Sequence, residues 1–158
     1  LSIIHFCICK ESLMYRLDIP MKNEHGRLLE VWEASVRATH HFLKEEDIDF
    51  FKNMIVEHEI FDDADITVTR DAENNIVGFV GVSGDSLEML FLHPDAIGKG
   101  VGKQLITHAI DVQKVKRVEV NEQNEQAVQF YNHFGFKIVS RSEDDGFGKP
   151  YPLLFMQR

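Results

Sequence analysis

Cysteine is nearly absent from this 158-residue sequence: Cys7 and Cys9 are the only two. Side chains one residue apart are poorly placed for an ordinary disulfide, and no further Cys or His cluster completes a zinc spacing. Both are read as free thiols of a reducing compartment, so a cytoplasmic location without metal is expected. Long apolar runs are missing too. None approaches the roughly 18 residues that a membrane span needs, which removes the membrane as a partner. Basic residues are outnumbered, 17 Lys and Arg against 26 Asp and Glu, for a net charge of -9. A general nucleic-acid binder carries the opposite balance, so nucleic acid is excluded as well. The acidity suits a cationic acceptor and, equally, simple solubility. Repeats, linkers and low-complexity tracts are also lacking. With 44% apolar residues the chain can build one domain around a real core.

Residues 1–13 lack the basic start and small-residue end of a secretory signal. They are set apart as an N-terminal extension, and the domain is taken as 14–158. Met14–Ile19 alternates and stops at Pro20, as an edge strand does. Leu28, Leu29, Val31, Trp32 and Val36 recur at helical spacing within 24–37. A turn at 38–43 holds Thr39, His40 and Phe42. A second helix is predicted over 45–59, with Ile48, Phe51, Ile55 and either Met54 or His58 on its buried stripe. The period then becomes two. Strands are expected at 66–70, 76–83 and 86–92, joined by the turns Asp71–Asn75 and Gly84–Asp85. A helix follows from the glycines at 98–102 to about Lys114, with Val101, Leu105, Ala109 and Val112 on one face. A strand at 117–120, a helix capped by Asn124 and closed by Gly135, and strands at 136–140 and 153–156 complete the chain. The order β-α-α-β-β-β-α-β-α-β-β is α+β, with a mixed and mostly antiparallel sheet flanked by helices.

The stretch Leu87–Leu105 reads LEMLFLHPDAIGKGVGKQL. Strand, short loop, three glycines at alternate positions and helix follow one another. Glycine lets backbone N–H groups converge and lets a bulky anion come close. The helix start adds partial positive charge, and Lys99 and Lys103 add full ones. Amides from Ile97 through Gly98, Lys99, Gly100, Val101, Gly102 and Lys103 thus form a phosphate or diphosphate cradle. A P-loop reading fails because Gln104 stands where Ser or Thr must hold magnesium. A dinucleotide fingerprint fails because Lys103 occupies its third glycine position.

With its surroundings this loop resembles the acyl-CoA-binding motif of the GNAT acetyltransferase superfamily, in which Arg or Gln, two residues, Gly, one residue and Gly or Ala open a helix after a strand. Asn124, Ala127, Phe130, Tyr131, Gly135 and Phe136 are similar to that family's N-x-x-A-x-x-F-Y-x-x-x-G-F segment. SVRATHHFL at 35–43, VNEQNEQAV at 120–128 and GKPYPLL at 148–154 resemble the bacterial YjaB-type subgroup. The resemblance covers about Met14 to the C-terminus. It implies the GNAT fold and transfer of an acetyl group from acetyl-CoA to a primary amine, on a protein lysine or a small molecule, by a monomer or homodimer.

The resemblance also implies roles. Glu88, on the strand entering the loop, is the candidate base and borders the acceptor. Alternation puts it on one face with Leu90 and Leu92, among which its pKa would rise. Tyr131 lies beside the coenzyme sulfur as an acid or hydrogen-bond donor. Phe91 and Leu92 offer backbone to the thioester oxygen and the pantetheine arm. Asn124 contacts that arm or only caps its helix. Thr39, His40, Phe42 and Tyr151 line the acceptor site, and His40 is an alternative base. A free lysine amine has a pKa of about 10.4, so on the order of one in a thousand is neutral at pH 7. Removing that proton is worth up to roughly 4 kcal/mol. An acetyl-CoA-binding module without turnover is the alternative, against which the presence of both Glu88 and Tyr131 weighs.

One departure stands out: Ile97 occupies the motif position usually held by Arg or Gln. Ile97→Arg is expected to tighten acetyl-CoA binding, measured by calorimetry; an unchanged dissociation constant removes the idea.

Overall fold

The computed structural model describes residues 14–158, so the proposed extension at 1–13, with Cys7 and Cys9, lies outside the described residues. The elements are β1 (Arg16–Asp18), a 3-10 turn (Lys22–Glu24), α1 (His25–Thr39), α2 (Glu45–Glu57), α3 (Ile60–Asp63), β2 (Asp65–Arg70), β3 (Ile76–Ser83), β4 (Ser86–Leu92), a second 3-10 turn (Pro94–Ala96), α4 (Val101–Asp111), β5 (Arg117–Asn121), α5 (Glu125–His133), β6 (Lys137–Ser142) and β7 (Leu153–Gln157). The strands form one sheet in the order β1-β2-β3-β4-β5-β7-β6. Every pairing is antiparallel except β4 with β5.

The sheet separates two apolar clusters. On one side Leu28, Val31 and Trp32 of α1 and Ile48 and Ile55 of α2 pack on Val68, Phe79 and Met89. On the other, Leu105, Ile106 and Ala109 of α4 and Tyr131 of α5 pack on Val80, Leu87, Val118 and Met156. Gly78 lets α4 lie close to β3: a Cβ there would stand 3.1 Å from Val101 Cγ1 and 3.3 Å from Leu105 Cδ1. Among the described residues no helix is long and apolar enough to cross a membrane.

Several expected boundaries move for local reasons. β1 is shorter at both ends. α1 runs on to Thr39, whose hydroxyl donates to the Ser35 carbonyl at 2.7 Å. α2 stops at Glu57, leaving His58 exposed, and Glu59 adopts a positive φ of 47° before the short α3, which periodicity does not predict. α4 begins only at Val101, because Gly98 and Gly100 hold φ of 77° and 83° and cannot be helical. It ends at Asp111, and Val112, expected on the buried face, is 64% exposed while Ile106 takes the core position. β6 begins one residue later than expected and runs on to Ser142.

Arg70 fastens the N-terminal elements to the sheet. Its side chain is nearly buried and donates to both Glu24 oxygens at 2.8 and 2.9 Å and to Asp18 at 2.7 Å. The Arg70 guanidinium, helped by the Met21 N–H, holds the Glu24 carboxyl at about 2, against an ordinary value of 4.5. Glu24 therefore adds its full stability above about pH 4.5 and loses it as pH falls through about 2. Chemical denaturation between those limits is expected to show this loss of stability, and Glu24→Gln to flatten it.

Candidate active site

β4 and β5 pair only at Ser86↔Arg117 and Leu87↔Val118. β4 then continues to Leu92 and β5 to Asn121 without further pairing, so the sheet opens between them. A bulge starts the divergence. Val82 faces Leu87 and Gly81 faces Met89, leaving Glu88 unpaired. The extra residue shifts the alternation, so Leu87 packs in the α4–α5 cluster and Met89 in the α1–α2 cluster. This corrects the expectation for Glu88: it is exposed at the bulge, not held among Leu90 and Leu92.

The register also fixes where the peptide groups of β4 point. His93 N–H donates to the Val77 carbonyl at 2.8 Å, so 93 and 77 form a hydrogen-bonded pair. Two residues back, Phe91 bonds Phe79 in the same sense, and the groups of Leu90 and Leu92 project away from β3 into the opening. The free amide there is that of Leu92 or Leu90, with Phe91 engaged in the sheet.

At the wide end of the opening stands the start of α4. Gly100 is its N-cap, has no side chain to offer and holds the left-handed conformation. The N–H groups of Val101, Gly102 and Lys103, the first of the helix, have no intrahelical acceptor. Lys103 flanks them. Three amides, a helix start and an adjacent ammonium suit a diphosphate in charge and direction.

A cavity of about 360 Å³ follows the opening. Its wall includes Leu92, Phe91, Ile97, Gly98, Gly100, Gly102 and Lys103 on the β4–α4 side, Asn124 and Tyr131 on the α5 side, and Thr39 and His40 from the end of α1. Ser35, Leu90, Gln126, Ala127 and Phe130 complete it. A Cβ on Gly102 would rest 3.5 Å from Phe130 and 3.8 Å from Leu92, across the passage between helix and strand. Asn124 Oδ1 accepts the Ala127 N–H at 3.2 Å, so this residue caps α5 as well as facing the cavity. Tyr131 is 6% exposed and packs edge-on against Phe130 and Phe136. Burial pushes its phenol pKa well above the ordinary range.

Five expected site residues do not line this cavity. Val101 is buried against Gly78 and contributes only backbone. Lys99 lies beside a different hollow with His93 and Asp95. Glu88 is on the bulge. Phe42 supports His40, ring centres 5.3 Å apart, and Tyr151 in turn supports Phe42 at 6.0 Å. The Tyr151 phenol donates to Asp47, whose carboxylate also holds Lys149 at 2.6 Å. Tyr151 thus ties the loop before β7 to the start of α2.

One group was not foreseen. Glu119 projects from the face of β5 opposite Val118 and Val120. Partial burial, and then the nearby Glu88 carboxylate, raise its pKa, with Arg117 opposing. Nothing in the spacing of Glu119 distinguishes it from a solvated strand residue; only the register of β4 against β5, with Leu87 beside Val118, makes the two carboxylates neighbours.

The family model for the acetyltransferase (GNAT) domain matches residues 38–148. The chain belongs to the GNAT acetyltransferase family. Among curated GNAT relatives, the peptidyl-lysine N-acetyltransferase YjaB of Escherichia coli (strain K12) is 41% identical over 134 residues, covering 84% of this chain and 90% of that protein. The protein of the same name from Salmonella typhimurium is 39% identical over 134 residues, covering 84% and 91%. The solution structure of apo YjaB from Escherichia coli matches with a TM-score of 0.80 at 37% identity, over 90% of this chain and 96% of that one. The GNAT fold extends to the PaiA N-acetyltransferase from Thermoplasma acidophilum in complex with coenzyme A, with a TM-score of 0.68 at 21% identity over 91% and 99% of the two chains.

The left-handed glycine at the helix start sets a clear test. Gly100→Val puts a branched side chain at a φ of 83°. It is expected to cost about 1–2 kcal/mol of stability by thermal or chemical denaturation and to abolish coenzyme A binding by calorimetry.

Proposed function

We propose that this chain transfers an acetyl group from acetyl-CoA to a primary amine, foremost the ε-amine of a protein lysine, by direct attack in a ternary complex. The observation that carries the reading is the opening between β4 and β5, with the uncapped start of α4 at one end and the Tyr131 phenol on its wall. GNAT neighbours captured with coenzyme A or acetyl-CoA support the donor, and relatives named peptidyl-lysine N-acetyltransferases support lysine as the acceptor class. A monomer or homodimer in the cytoplasm remains part of the proposal.

Acetyl-CoA, when bound, supplies a thioester whose acetyl carbon accepts the amine. The amides at the start of α4, with Lys103, hold the diphosphate. The Leu92 N–H, free of the sheet, donates to the charge that develops on the carbonyl oxygen. Glu88 and Glu119 take the proton that the ammonium form of the amine must lose. A carboxyl with a raised pKa is the better base, which favours Glu119 for the transfer itself and Glu88 as its polarising neighbour. The nitrogen–carbon bond forms and the carbon–sulfur bond breaks. With its pKa raised, Tyr131 stays protonated and stabilises the departing sulfur by a hydrogen bond. The sulfur leaves as a thiolate and takes up the second proton, which the attacking nitrogen sheds once its bond to carbon has formed; the proton taken by the carboxylate is the one that reaches solvent in each turnover.

Thiol release from acetyl-CoA, measured with a lysine peptide, spermidine and an aminoglycoside, tests the reading. Turnover is expected with the peptide; binding of coenzyme with no release on any amine would sink the proposal. Tyr131→Phe is expected to lower kcat on the order of 100-fold while leaving the acetyl-CoA dissociation constant little changed.

A further inference from the structure

Thr39 and His40 close α1 where it meets the cavity. The Thr39 hydroxyl lies 2.7 Å from the Ser35 carbonyl oxygen and 2.8 Å from His40 Nδ1. A hydroxyl has one proton. The carbonyl has none, so at 2.7 Å the proton must lie between the two oxygens, or their lone pairs would repel. Thr39 Oγ1 therefore has only lone pairs to offer His40, and the 2.8 Å contact requires Nδ1 to carry the hydrogen. Nε2 is then the bare nitrogen of the ring. It has no hydrogen-bond partner in the protein among the described residues. The ring is held by Phe42 and Phe91, at 5.3 and 6.4 Å between centres, on the wall of the cavity. Burial first, and then the neighbouring His41, hold its pKa at about 4, so the ring stays neutral at physiological pH.

We propose that His40 is a substrate-orienting residue, and Thr39 its positioning residue. The Ser35–Thr39–His40 relay locks the Nδ1–H tautomer, and the bare Nε2 accepts one N–H of the incoming amine. A neutral amine held in this way keeps its lone pair free to turn toward the acetyl carbon. An imidazole with hydrogen on Nε2 would instead donate to that lone pair and block attack. The proposal rests on the transferase reading and adds to it a reason for the order of residues at the end of α1. No proton is transferred to His40, so it contributes no limb to the pH–rate profile above pH 5, and Glu88 and Glu119 keep the part of base.

The lock is read without turnover. Ring 15N chemical shifts of the wild-type chain, with the His40 ring assigned through its bonds to its own sequentially assigned backbone, distinguish the protonated nitrogen from the bare one. A hydrogen on Nδ1 is expected, and Thr39→Val, which keeps shape and removes the hydroxyl, is expected to mix the tautomers. A wild-type ring protonated on Nε2 overturns the proposal even if no variant folds. In thiol-release kinetics, Thr39→Val and His40→Phe are each expected to lower kcat/KM for the amine about tenfold, with acetyl-CoA affinity unchanged. An active wild type whose His40→Phe variant turns over equally well overturns the role of His40 alone. A wild-type chain that is silent on every amine removes the transferase reading and this role together.

Discussion

Two residue pairs hold the parallel junction of this sheet, and the parting of the strands beyond them governs the rest of the site. If β4 and β5 stayed zipped to their ends, the amides of Leu90 and Leu92 would be spent on the neighbouring strand. The apolar passage would close, and the start of α4 would look onto a sealed surface. The bulge at Glu88 makes the parting possible. It turns β4 about its own axis, so that one strand serves both apolar clusters in succession, Leu87 for one and Met89 for the other. An irregularity of one residue thus exposes backbone that a regular sheet would hide.

The second constraint is conformational. Gly98 and Gly100 lie in the left-handed region, which delays the helix until Val101 and leaves its first amides unspent. Gly78 plays the complementary part from beneath, bringing the helix down onto the strand. One pair of glycines aims the amides while Gly78 sets their height above the sheet. Neither effect depends on the side chain at position 97, where an exposed isoleucine stands in this chain.

Most of the element order could be read from the sequence, because apolar periodicity and turn chemistry speak directly to backbone state. The strand pair 76–83 and 86–92, the Asn124 cap and the glycine at 135 are local signals, and the structure carries all of them. Long-range arrangement was less legible. A bulge has no reliable signature in a run such as SLEMLFL, so the side to which Glu88 turns could not be derived from alternation. Glu119 was missed because its raised pKa comes first from partial burial and then from a carboxylate on another strand, neither of which a local pattern shows. Val112 continued an apolar stripe beyond the point where the helix had already ended. Tyr151 was marked by its surroundings in sequence, yet its phenol is engaged by Asp47, so its reach toward the cavity passes through Phe42.

The division of the interior by the sheet has an evolutionary consequence. The cluster beneath α1 and α2 reaches His40 through Trp32 and Phe91, on the acceptor side of the proposed complex; the cluster beneath α4 and α5 underlies its coenzyme side. Substitutions that share no neighbours combine almost additively. A lineage can therefore rework the first cluster, and with it the choice of amine, while the grip on the acyl donor drifts little. Descendants of such a chain would diverge in what they modify long before they diverge in what they spend to modify it.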